Sequence, residues 1–83
     1  MEYVFRMPPA VVDQMNAVWI HSGTTEKPGT ARHELYGARR STEGSFTMSS
    51  ADRADLAAGH LIVRVYLRDL AGSVADLPLS FNR

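Results

Sequence analysis

From Leu61 to Leu67 every second residue is apolar: Leu61, Val63, Val65 and Leu67 fall on one side, and Ile62, Arg64, Tyr66 and Arg68 on the other. A period of two predicts a β-strand with one buried face. Asp69-Leu70-Ala71-Gly72-Ser73 carries turn chemistry, and Leu77, Leu79 and Phe81 alternate again after it, so a returning strand is expected. Pro78 within that strand cannot donate to a neighbour, which assigns the strand to a sheet edge. Just upstream the pattern changes. Ser49 followed by Asp52 makes a capping box, and Gly59 sits where a left-handed C-terminal residue belongs, so a helix is predicted over about residues 50–58.

Earlier in the chain, Tyr3 to Met7 is a short apolar stretch stopped by Pro8-Pro9. Ala10 to Asn16 suits either a helical turn or the approach to a strand. Ala17-Val18-Trp19-Ile20-His21 is apolar on both sides, which predicts a strand covered on both faces with Trp19 filling core volume. Ser22 to Gly29 concentrates turn residues and reads as a surface loop. Ala31 to Tyr36 resumes a strand rhythm, Arg39 to Gly44 is a second turn, and Ser45 to Ser49 alternates cleanly. The expected fold is all-β, a single domain over 1–83. Its architecture is a small antiparallel sandwich or partial barrel of about six strands with one short helix.

Length and composition narrow what such a domain can do. A chain of 83 residues hides roughly 60–65% of the surface its unfolded form exposes, so its stability margin is thin. No cysteine and no Cys/His spacing supplies a staple, and small unstapled domains gain burial by associating, which predicts a homodimer. Nine basic and nine acidic side chains cancel, so no net field draws in nucleic acid or an anionic membrane. Eight of the nine basic residues are Arg, which favours bidentate and stacked contacts. No apolar run approaches a membrane span. The start lacks a charged segment leading into a long apolar one, so cytoplasm is the expected compartment.

Candidate chemistry is sparse. His21, His33 and His60 stand at no mutual spacing of two or four, so no metal site and no cofactor are expected. There is no thiol and no Gly-x-Ser-x-Gly elbow, and Asp52, Asp55, Asp69 and Asp76 fall at caps and turns, so no catalytic residue is assigned. Arg32, His33, Arg39 and Arg40 with Tyr36 form the basic cluster. Glu34 and Glu43 flank it, so it reads as a hairpin pairing its own charges rather than a nucleic-acid surface. Ile62, Arg64, Tyr66 and Arg68 are the residue types enriched at protein interfaces and are the candidate contact surface. Trp19, His21 and Tyr66 are the candidate ligand-binding residues.

Three segments carry a family resemblance. Trp19-Ile20-His21-Ser22-Gly23 with Pro28-Gly29, then Phe46 through Leu56-Ala57-Ala58-Gly59, then Leu61 to Phe81 resemble parts of the CHRD domain, a β-rich module of bacteria and of chordin-type extracellular proteins. The likeness is to its His-containing strand and Gly-rich loop, its strand and short helix ending in Leu-x-x-Gly, and its final hairpin. It implies a β-sandwich without a firmly assigned reaction. The chain departs from the family where Trp19 and His21 replace a His-x-His pair and where Val65-Tyr66-Leu67 lacks a further His. Gly72 to Asp76 also differs from the closing Gly-Glu-Ile-Arg-Gly, and the family's N-terminal strands have no counterpart, leaving about two-thirds of the domain. The expectation is a non-enzymatic binding or assembly module working as a homodimer, in contact through the strand at 61–67 or 74–81. The alternative is a small-ligand binder or minor enzyme with a pocket near Trp19, His21 and the 22–30 loop.

Overall fold

The computed structural model describes residues 2–35 and 42–79. In order these form β1 (Glu2–Arg6), α1 (Pro9–Val12), β2 (Met15–Gly23), β3 (Pro28–Glu34), β4 (Glu43–Thr47), α2 (Ser50–Ala57), β5 (Leu61–Leu67) and β6 (Val74–Pro78). Two antiparallel sheets result, a large one in the order β3-β2-β5-β6 and a ribbon of β1 with β4. The all-β class and the count of strands are as expected. The second helix is not: Ala10 to Asn16 divides, with Pro9 opening a single turn where its missing N–H costs no bond, and β2 starting at Met15. The 22–29 loop also shrinks. β2 runs on to Gly23 and β3 begins at Pro28, leaving Thr24 to Lys27 as the connection. Gly23 makes this tight hairpin possible. Its φ is +97°, and a Cβ there would lie 2.6 Å from both the Lys27 carbonyl and the Gly29 nitrogen.

Helix α2 forms for the reasons its sequence gives. The Ser49 hydroxyl accepts from the Asp52 amide and the Asp52 carboxylate accepts from the Ser49 amide, completing the capping box. At the other end Gly59 has φ +76°, His60 N–H donates to the Asp55 carbonyl and Gly59 N–H to Leu56, a Schellman ending.

One cluster holds the fold together. Val18 and Ile20 of β2 and Leu61, Val63 and Val65 of β5 meet Tyr3 and Phe5 of β1, Phe46 of β4, Val12 of α1 and Leu56 of α2. Every element outside the large sheet therefore packs on the same side of it. Alternation turns Ala17, Trp19 and His21 of β2 and Ile62, Arg64 and Tyr66 of β5 to the opposite face, where His21 and Ile62 are nonetheless buried. The two-sided cover expected for Ala17 to His21 is thus corrected: Val18 and Ile20 are buried, while Trp19 is only half-buried and lies outside the core.

Ladder phase follows from a few hydrogen bonds. Leu67 N–H donates to Ser73 and Leu79 N–H to Leu61, so odd positions of β6 bond β5, and Val74, Asp76 and Pro78 turn their backbone groups outward. β6 is an edge strand, as Pro78 predicted, and its proline stands where the missing N–H breaks no ladder bond. Among the described residues no helix is long and apolar enough to cross a membrane.

Candidate functional site

The densest polar cluster joins β3 to α2. Asp52, on the first turn of α2, is fully buried at 0% exposure. Its Oδ1 accepts from Arg32 Nη1 at 2.8 Å, and its Oδ2 accepts from His33 Nε2 at 2.7 Å and from the Ser49 amide at 3.0 Å. Arg32 also pairs through Nη2 with Asp55, one turn further along the helix. The His33 ring lies against Phe46, with centroids 5.4 Å apart.

Consecutive strand residues ordinarily point to opposite faces, yet Arg32 and His33 grip one carboxylate. The pairing of β2 with β3 explains this. His33 stands opposite Ile20, but Ala31 stands opposite His21, so Arg32 is the extra residue of a β-bulge. A bulge bends its strand and re-aims the side chain, here toward α2.

Burial alone would raise the Asp52 carboxyl. Hydrogen bonds from the Ser49 amide, His33 and Arg32 outweigh it and hold the pKa at about 2, against the ordinary 3.8. At neutral pH the group is a carboxylate, which fixes His33 with its Nε2 proton directed at Asp52. This is half of a general-base arrangement. Among the described residues no hydroxyl hydrogen-bonds to His33, and the bonds of Arg32 and His33 to Asp52 and Asp55 join the β3 edge to α2. For Arg32 the expected pairing within the hairpin is corrected, since it bonds the helix; Glu43 lies 3.7 Å from Arg6 of β1. Tyr36, Arg39 and Arg40, the rest of the basic cluster, lie outside the described residues.

The outer face of the large sheet gathers most of the other candidate residues. Trp19 stands opposite Arg64, His21 opposite Ile62 and Ala17 opposite Tyr66. Arg64 makes a bidentate pair with Asp76 of β6, at 2.8 and 2.9 Å. Trp19 and His21 meet edge to face with ring centroids 6.5 Å apart. Two expected members differ. Ile62, placed on an exposed face by alternation, is 1% exposed. Arg68 lies past the end of β5 at the α1 end of the sheet, where its guanidinium donates to the Asp13 carbonyl at 3.3 Å.

His21 is also buried. Its Nδ1 lies 3.4 Å from the Gly29 carbonyl, and its Nε2 has no partner. A cleft of about 450 Å³ lies between β1 and the end of β6, lined by Tyr3, Val4, Phe5, Arg6, Glu43, Pro78 and Leu79. It includes none of Trp19, His21 or Tyr66. Among the described residues no three His, Cys, Asp or Glu side chains group to hold a metal ion. Comparison with protein-family models, curated proteins and solved structures finds no match to this chain.

Proposed function

We propose that the protein is a small non-enzymatic β-domain acting as a cytoplasmic binding or assembly module, and that it works as a homodimer. One observation carries this reading: the layers are unequal. Among the described residues a ribbon of two strands faces a sheet of four. Two-stranded ribbons are marginal by themselves, and a chain this short has little surplus burial to support one.

The polar clusters support the same reading, because their groups bond one another. Asp52 is engaged by Ser49, Arg32 and His33, and Arg64 by Asp76. The outer face, with half-buried Trp19 and Tyr66 around the Arg64–Asp76 pair, gives the module a second contact surface. The CHRD likeness belongs to this proposal too. It rests on the residues of Trp19 to Gly29, Phe46 to Gly59 and Leu61 to Phe81. The small-ligand alternative is favoured by one group, the partnerless Nε2 of His21. The cleft between β1 and the end of β6 touches neither His21 nor Trp19.

Light scattering on the purified chain at tens of micromolar tests the proposal. The expected mass is twice the 9.2 kDa of one chain. A monomer mass at that concentration overturns the homodimer.

A further inference from the structure

We propose that β1 is the seam of the homodimer, pairing antiparallel with β1 of a second copy about a two-fold axis at Val4. This rests on the homodimer proposed above and names the surface that makes it. Met7 N–H donates to the Thr42 carbonyl in the same register that sets Tyr3 against Phe46 and Phe5 against Gly44. Tyr3, Phe5 and Met7 therefore direct their backbone groups at β4, and Glu2, Val4 and Arg6 direct theirs to the other edge. No described strand pairs with that edge.

The described edges of the sandwich are not equally open. Pro78 removes one outward donor from β6, and the bulge at Arg32 disrupts β3, both recognised ways of blunting an edge. β1 and β4 have neither device, but β4 set antiparallel to its own copy about Ser45 would place Glu43 against Thr47 and gain no charge pair. β1 offers three consecutive outward donor–acceptor pairs, with no proline and no bulge. Val4 at their centre is 46% exposed, one of few large apolar side chains so placed. The cleft of about 450 Å³ runs beside the same strand.

The sequence of β1 identifies the occupant. Glu2-Tyr3-Val4-Phe5-Arg6 is chemically palindromic with opposite charges at its ends. Antiparallel pairing about Val4 sets Glu2 against Arg6 of the partner, Tyr3 against Phe5 of the partner, and Val4 against its own copy. Charges on the outer side are then complementary at both ends, and the aromatic rings on the core side extend the row that Tyr3 and Phe5 already form with Phe46. The same contact made twice closes the assembly at two copies. It also joins two ribbons into a four-stranded layer, β4-β1-β1-β4, equal in strand number to the sheet it faces.

Sedimentation equilibrium on the wild type and four variants tests the seam, with circular dichroism to check folding. Val4→Pro removes an outward N–H and no bond to β4, so the expected result is a folded monomer. Glu2→Arg faces like charges at both ends and is expected to weaken association about tenfold, with Glu2→Arg/Arg6→Glu restoring it. Tyr66→Glu, on the outer face, is expected to leave the dimer intact. If Val4→Pro fails to fold, the charge exchange decides. A dimeric wild type whose Glu2→Arg and folded Val4→Pro forms associate unchanged overturns the seam and leaves the homodimer standing. Dissociation by Tyr66→Glu moves the contact to the outer face. A monomeric wild type removes the homodimer and the seam together.

Discussion

Asp52 does two jobs with one carboxylate. It completes the capping box of α2 and receives Arg32 and His33 from β3. The first role is legible in the sequence, because Ser49 and Asp52 stand three apart ahead of an apolar-spaced segment. The second is not, because the partners come from twenty residues away and reach Asp52 only through a bulge. Removing one member of a buried ionic cluster strands the others, so Asp52→Ala is expected to cost about 3 kcal/mol of stability in chemical denaturation. The pH dependence has a definite sign. Because the folded carboxyl titrates at about 2 and its ordinary value is 3.8, its contribution is present above the ordinary value and is lost as pH falls through the folded one. That contribution is about 2 kcal/mol. Thermal melts between pH 5 and pH 2 are expected to show a steep acid limb in the wild type and a shallower one in Asp52→Asn. Equal limbs would mean that other carboxylates dominate acid unfolding.

Among the elements, alternation identified β5 and β4, capping chemistry identified α2, and Pro78 assigned β6 to an edge. These signals are local, so sequence carries them. Which face of a strand is covered is not a local property. Trp19 and Ile62 exchanged their expected environments for this reason: both are apolar, both sit on the outer face, and only their neighbours decide which is shielded. The β2–β3 connection shows how a turn signal can be right and its length wrong. Glycine and proline mark Ser22 to Gly29 as a reversal, but Gly23 folds it tightly enough for pairing to resume at Pro28. Gly23→Ala puts a Cβ against two backbone atoms as well as at a positive φ, whereas Gly59→Ala meets nothing within 4 Å. Denaturation is expected to show a loss of about 3 kcal/mol at Gly23 and about 1 kcal/mol at Gly59. A smaller loss at Gly23 than at Gly59 would show that the hairpin relaxes freely.

At the scale of the molecule, the small all-β class was readable because turns recur at short intervals and no stretch sustains a long helix. The layering was not readable. Nothing in the alternation of Tyr3 to Met7 says that, among the described residues, this strand pairs with β4 alone and forms a layer half the size of its partner. That imbalance, together with an unblunted edge of self-complementary sequence, is what makes a second copy the natural completion of the sandwich. Residue-resolved hydrogen exchange across a dilution series tests this most directly, since the outward amides differ from all others only in what lies beyond the edge. The amides of Glu2, Val4 and Arg6 are expected to exchange more slowly as protein concentration rises, while those of Val74 and Asp76 on the proline-blunted β6 edge stay unchanged. Exchange at Val4 that is fast and independent of concentration would contradict the account.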